Sequence, residues 1–122
     1  MYLSGAVSYG STGNKTISLP LSGGTPYAVR ASMGARFNTT ETNIRYSEGF
    51  TDGNYTTCKS IVNSFTKNYP YTGQPNYLIA HHSASGTKAF SATFVSWDVD
   101  ELVINVDDAD ANYQMFLEVW YE

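Results

Sequence analysis

From Tyr113 onward the chain alternates to its end. Tyr113, Met115, Leu117, Val119 and Tyr121 fall on one side, and Gln114, Phe116, Glu118 and Trp120 on the other. A period of two is the signature of a β-strand, since a helix would scatter both sets around its axis. This strand carries large apolar groups on both faces. In a small sandwich that leaves two readings open. Either a second chain covers the outer face, or the strand is central and packed under its own loops.

The same period recurs along the sequence. Over 27–37, Tyr27, Val29, Ala31, Met33, Ala35 and Phe37 point one way, against Ala28, Arg30, Ser32, Gly34 and Arg36. This predicts a half-buried strand with its arginines in water. Leu3, Gly5, Val7 and Tyr9 alternate at the start, and Ile17, Leu19 and Leu21 follow a Gly/Ser/Asn turn. Pro20 cannot donate to a ladder, so this second strand is expected at an edge or at a bulge. Ser22-Gly23-Gly24-Thr25-Pro26 reads as a turn. In 88–97, Ala89, Ser91, Thr93, Val95 and Trp97 oppose Phe90, Ala92 and Phe94, and 99–106 sets Leu102, Ile104 and Val106 together. Shorter strands are expected at 43–47, 60–66 and 77–82, with a short helix as the alternative near 43–46 and 60–65. Eight or nine short strands divided by Gly, Pro, Asn and Asp turns predict an all-β fold, an antiparallel sandwich or jelly roll. With 122 residues, no linker and no repeat, the chain 1–122 reads as a single domain.

Several function classes drop out on charge and composition. A net charge of −4 with only seven scattered Lys and Arg gives no basic footprint for nucleic acid. No stretch approaches the ~20 apolar residues of a membrane helix. Residues 1–7 have neither the charged start nor the apolar run of a signal peptide. The single cysteine, Cys58, cannot form an internal bridge and reads as a thiol without a role, in a chain suited to a reducing cytoplasm.

Motifs for chemistry are thin. Asp108, Asp110 and Asn112 give the D-x-D-x-N opening of a calcium loop, but Tyr113 stands where glycine is needed and Val119 where a bidentate Glu belongs. A solvated turn is the better reading, and no metal or other cofactor is expected. His81-His82 face opposite ways on a strand and read as a polar strand end, with a pH-dependent contact as the alternative. No nucleophile elbow or catalytic-cysteine signature occurs, and Ser22–Thr25 lacks the lysine and helix of a phosphate loop. Enzyme function is not expected. Three N-x-[ST] sequons, at Asn14, Asn38 and Asn54, match chance for this composition.

The informative surface lies between 46 and 77. Tyr46, Tyr55, Tyr69, Tyr71 and Tyr77 are interleaved with Asn68, Asn76 and other Asn, Gly, Ser and Thr residues. Tyrosine supplies rigid amphipathic contact area while amides and hydroxyls adapt, the composition of a recognition surface suited to sugars. Tyrosines that merely finish a β core are the competing reading.

The run Leu3-Ser4-Gly5-Ala6-Val7-Ser8-Tyr9-Gly10, the segment Thr16-Ile17-Ser18-Leu19-Pro20-Leu21 and the terminus Phe116-Leu117-Glu118-Val119-Trp120-Tyr121-Glu122 resemble small tail-associated proteins of tailed bacteriophages, including fibre and tail-needle knobs. The resemblance spans most of the chain but carries no motif from which a site residue could be transferred. It implies a structural role in the virion, next to other virion proteins, after assembly in the bacterial host cytoplasm. It also implies a homo-oligomer, with a trimer favoured, and host-surface recognition, where a cell-surface glycan is the natural ligand. Phe116 and Trp120 are the expected seam between copies. A free-standing carbohydrate-binding module or small lectin is the alternative.

Overall fold

A strand at the edge of a sheet leaves every second amide and carbonyl without a partner, and the way this chain answers that need sets its architecture. The structure, a computed structural model, describes residues 1–34, 45–63, 65–69, 76–83 and 85–122. Ten strands run through them: β1 (Tyr2–Leu3), β2 (Gly13–Ser18), β3 (Pro26–Met33), β4 (Arg45–Thr51), β5 (Thr56–Val62), β6 (Phe65–Tyr69), β7 (Tyr77–His82), β8 (Lys88–Asp98), β9 (Glu101–Asp108) and β10 (Met115–Tyr121). All pairings are antiparallel. One sheet has the order β1-β10-β3-β4-β5-β6 and the other β2-β9-β8-β7. The expected all-β sandwich is the fold, and the described residues include no helix. First strand pairs with last and second with last but one, the winding of a jelly roll. After that the chain departs from it, because β3 to β6 run as a meander within one sheet.

Between the sheets lie the side chains that alternation selects. Ile17, Leu19 and Leu21 join Val29, Ala31 and Met33, then Leu102, Ile104 and Val106, and Tyr113, Met115, Leu117 and Val119, all buried in one cluster. β2 is an edge strand and stops before Pro20, as proline requires. The turn at 22–24 is tied to the β8–β9 hairpin by Asp100. Its carboxylate accepts from the Gly23 amide at 3.0 and 3.1 Å, its own amide donates to the Gly24 carbonyl, and its carbonyl accepts from Leu19. Ser22 and Asp100 both take left-handed backbone here, with φ of 56° and 57°.

Alternation fails where a bulge shifts it. Trp120 pairs with Ala28 but Tyr121 pairs with Pro26, so Tyr27 is left over and turns outward, 49 % exposed, rather than joining Val29 inside. Between Phe94 and Ser96 a second bulge skips Val95. Phe94 and Trp97, expected on opposite faces, therefore share one, with ring centroids 4.9 Å apart. At the start, Tyr2 faces the core while Leu3 is 61 % exposed, because the segment after it leaves the ladder and returns only at the Val7–Met115 bridge. The predicted strand tail at 35–37 and residues 43–44 lie outside the described residues. The segments given a helical alternative are the strands β4, β5 and β6 as far as they are described.

The free edge of β7 is the joint of the sandwich. Leu78, Ala80 and His82 point their backbone groups away from β8 and into the inner face of β4 and β5. The His82 amide donates to Ser60 Oγ at 3.3 Å, and the Ala80 amide to the Cys58 sulfur. The Leu78 carbonyl fills the place where a side chain of Gly49 would stand: a Cβ there would lie 1.6 Å from Leu78 O and 3.0 Å from Cys58 Cβ. Only glycine permits that approach. Gly49→Ala is therefore expected to cost about 3 kcal/mol or more in urea denaturation, because the obstacle is backbone and cannot rotate away. Gly5→Ala, whose Cβ would meet nothing within 4 Å, should leave the midpoint nearly unchanged and serves as the control.

Candidate functional site

The outer faces of the two sheets differ in kind. On the four-stranded sheet, Asn14, Thr16 and Ser18 of β2 pair with Asn105, Val103 and Glu101 of β9, and these with Thr93, Ser96 and Asp98 of β8. Asn105 Nδ2 donates to Asn14 Oδ1 at 2.7 Å. That face is mostly polar, with Val103 in its rows and Val95 45 % exposed at the β8 bulge.

On the six-stranded sheet the outward positions are Leu3, Phe116, Glu118 and Trp120 on β1 and β10, then Arg30 and Ser32 on β3. Tyr46, Glu48 and Phe50 follow on β4, Thr57, Lys59 and Ile61 on β5, and Asn68 on β6. Cross-strand register sets them in rows. One runs Leu3, Glu118, Arg30, Phe50, Thr57, and the next Phe116, Ser32, Glu48, Lys59, Asn68. Leu3, Phe116, Phe50 and Tyr46 are 61, 46, 42 and 38 % exposed, and Trp120 is half-buried. Large apolar groups gathered on one exposed sheet face make it the candidate contact surface.

Arg30 organises its centre. Nη1 donates to Glu118 at 3.1 Å, while Nη2 donates to Glu48 at 2.6 Å and to the Tyr46 hydroxyl at 3.2 Å. The hydrogen bond from Arg30 holds the Glu48 carboxyl below the usual carboxylate range, with the Tyr46 hydroxyl adding to it. Tyr46 is pushed up, first by burial and then by the charge of Glu48. All three charged side chains keep about a third of their surface in water, so their pairing fixes geometry more than it stabilises the fold. Beside this cluster a pocket of about 320 Å³ opens between Arg30, Glu48, Phe50, Thr57, Lys59 and Asn68, floored by the backbone of Gly49 and Cys58.

The tyrosine surface expected between 46 and 77 is only partly assembled. Tyr46 and Asn68 lie on this face. Tyr55, 62 % exposed, crowns the β4–β5 turn, which Asp52 holds by accepting from the Asn54 and Tyr55 amides at 2.9 and 2.7 Å. Tyr77 is a correction: it is buried at the start of β7 with Lys88 donating to its hydroxyl, so its ring meets no ligand. Asn76 is half-buried just before it. The ring of Tyr69 and the whole of Tyr71 lie outside the described residues. Missed from sequence were Glu48, Phe50, Thr57 and Lys59. Their signal was the alternation in 45–51 and 56–62, where Phe50 stands among the outward polar positions.

The acidic turn places its members apart. Asp108 accepts from Ser91 Oγ at 2.6 Å and lies 3.8 Å from Lys88, whereas Asp110 accepts from the Asn112 amide at 2.9 Å as a turn residue. No cluster of three metal-ligating acidic, His or Cys side chains occurs among the described residues.

The histidine pair is a second correction. Far from ending a strand in water, His81 and His82 are buried at 0 and 2 % exposure, because β7 is covered on both faces. His81 Nδ1 lies 2.6 Å from Ser47 Oγ, its ring meets Tyr113 edge-on at 4.9 Å, and Arg45 Nη1 donates to the Tyr113 hydroxyl at 3.0 Å. A serine beside an imidazole is the pairing of an activated nucleophile. Here both residues have no exposed surface, so no substrate reaches the hydroxyl. Cys58 is 6 % exposed, and burial pushes its thiol up to about 12.

A scan against protein-family models, a search of curated proteins and a search of solved structures each return no match.

The buried imidazole has a measurable signature. Desolvation first, and then the charge of Arg45, lowers His81 from 6.5 to about 4, and His82 shifts the same way. Between these values the unfolded chain binds a proton that the folded chain refuses. Stability is therefore complete above pH 6.5 and falls as pH drops towards 4, by about 3 kcal/mol in all from His81. Urea midpoints measured from pH 7 to pH 4 should show this slope, and His81 should not titrate by NMR above pH 5. A flat profile contradicts the burial.

Proposed function

We propose that the chain is a non-enzymatic structural protein of a bacteriophage virion, associated with the tail tip or a fibre, which assembles with copies of itself through the outer face of the six-stranded sheet. The observation that carries this reading is the contrast between the two outer faces, one polar and one aromatic. The β1–β10 half of the aromatic face, with Leu3, Phe116 and Trp120, is the expected seam, and a trimer is the favoured closure. Copies of the same chain suit it because the face is electrically balanced: Arg30 and Lys59 offset Glu48 and Glu118, in a chain of net charge −4. The inaccessible Ser47–His81 pair and Cys58 agree with a protein that binds rather than reacts. Host-surface recognition then falls to the opposite half of the face and to Tyr55 at the turn beside it.

The pocket around Phe50 favours a second reading, a free-standing carbohydrate-binding module or small lectin. Light scattering after gel filtration separates the two. The assembly reading expects about 40 kDa, three chains of 13.4 kDa. It also expects Phe116→Asp to return the mass to one chain while the circular dichroism spectrum stays that of a β protein. A native mass of one chain removes the assembly reading and leaves the module.

A further inference from the structure

We infer that the pocket on the β4–β6 half of the outer face is a glycan subsite selective for a carboxylated pyranose. This deepens, and rests on, the recognition part of the reading above. Phe50 is the platform. It stands between Arg30 and Thr57 in one cross-strand row, 42 % exposed, at the height where a sugar ring can lie on an aromatic face. The adjoining row, about 7 Å along the strands, supplies Glu48, Lys59 and Asn68. Thr57 and Asn68 offer a hydroxyl and an amide to sugar hydroxyls. A volume of about 320 Å³ suits a mono- or disaccharide, at the small end of ligand sites.

Charge decides which sugar. Both terminal nitrogens of Arg30 already donate, to Glu118, Glu48 and Tyr46, and Oε2 of Glu48 accepts from both Arg30 and Tyr46. Lys59 is different. It sits opposite Glu48 closely enough to influence its titration, yet makes no salt bridge among the described residues. Its ammonium balances the face at a distance without being bonded to a carboxylate of the described residues, and a ligand carboxylate is the group that complements it. The Gly49 and Cys58 backbone at the floor keeps the depression open, since neither residue projects a side chain outward.

The test uses the full ¹⁵N-labelled chain titrated with methyl β-glucuronide and with its neutral twin, methyl β-glucoside. Both should move the amides of Phe50, Thr57, Lys59 and Asn68, with the glucuronide bound about fivefold more tightly, the size of one exposed ion pair. Lys59→Met should erase that preference and leave the glucoside unchanged. Phe50→Ala, at an exposed position, should weaken both sugars about tenfold. Equal affinities for the two sugars, a preference that survives Lys59→Met, or shifts confined to other amides would each overturn the proposal, as would no shift at all. A trimeric mass with an unresponsive pocket removes only this subsite, whereas a responsive pocket on a single chain removes only the assembly.

Discussion

The sandwich depends on how one edge strand is received. β7 pairs with β8 on one side only, and its other side presents backbone groups that would otherwise be orphaned in a dry interior. The six-stranded sheet answers with three small residues on its inner face. Gly49 leaves room for the Leu78 carbonyl, while Cys58 and Ser60 accept from the amides of Ala80 and His82. The two sheets are therefore joined by a backbone edge seated in a trough as well as by apolar packing. This is why β7 is buried along its whole length and why two histidines have to live there neutral.

That joint also frees the outer face. Because β4 and β5 are held from within, their outward side chains have no structural duty in the core. Glu48, Phe50, Thr57 and Lys59 stand outward, and Arg30 fixes Glu48 relative to Tyr46 and Glu118. The order is hierarchical: an inner trough sets the strands, the strands set two cross-strand rows, and the rows set a pocket beside an aromatic patch.

Much of this was legible in the sequence. Strict alternation found the core side chains of 17–21, 102–106 and 113–121, although β2 itself ends at Ser18, and Pro20 marked an edge, because pleat and proline are local rules. What was not legible depended on partners distant along the chain. Tyr27 and Trp97 left their expected faces at bulges, and a bulge is a property of two strands. Tyr77 and the histidine pair looked like rim residues by composition, yet they are buried because β4 and β5 close over β7. Of the expected recognition residues, Tyr46, Tyr55 and Asn68 lie at or beside the outer face of the six-stranded sheet. The residues around Phe50 were overlooked because the strand predicted at 43–47 continues to Thr51.

Cys58 gains a use from where it sits. Its sulfur accepts an amide of β7, and its proton is held so firmly that almost no thiolate exists at neutral pH. A disulfide reagent in solution can capture it only when β7 lifts from β5 and the thiol recovers its ordinary acidity. The rate of labelling in the native protein is thus a clock on that single event, readable without any introduced probe, and it times the breathing of the joint on which both faces rest.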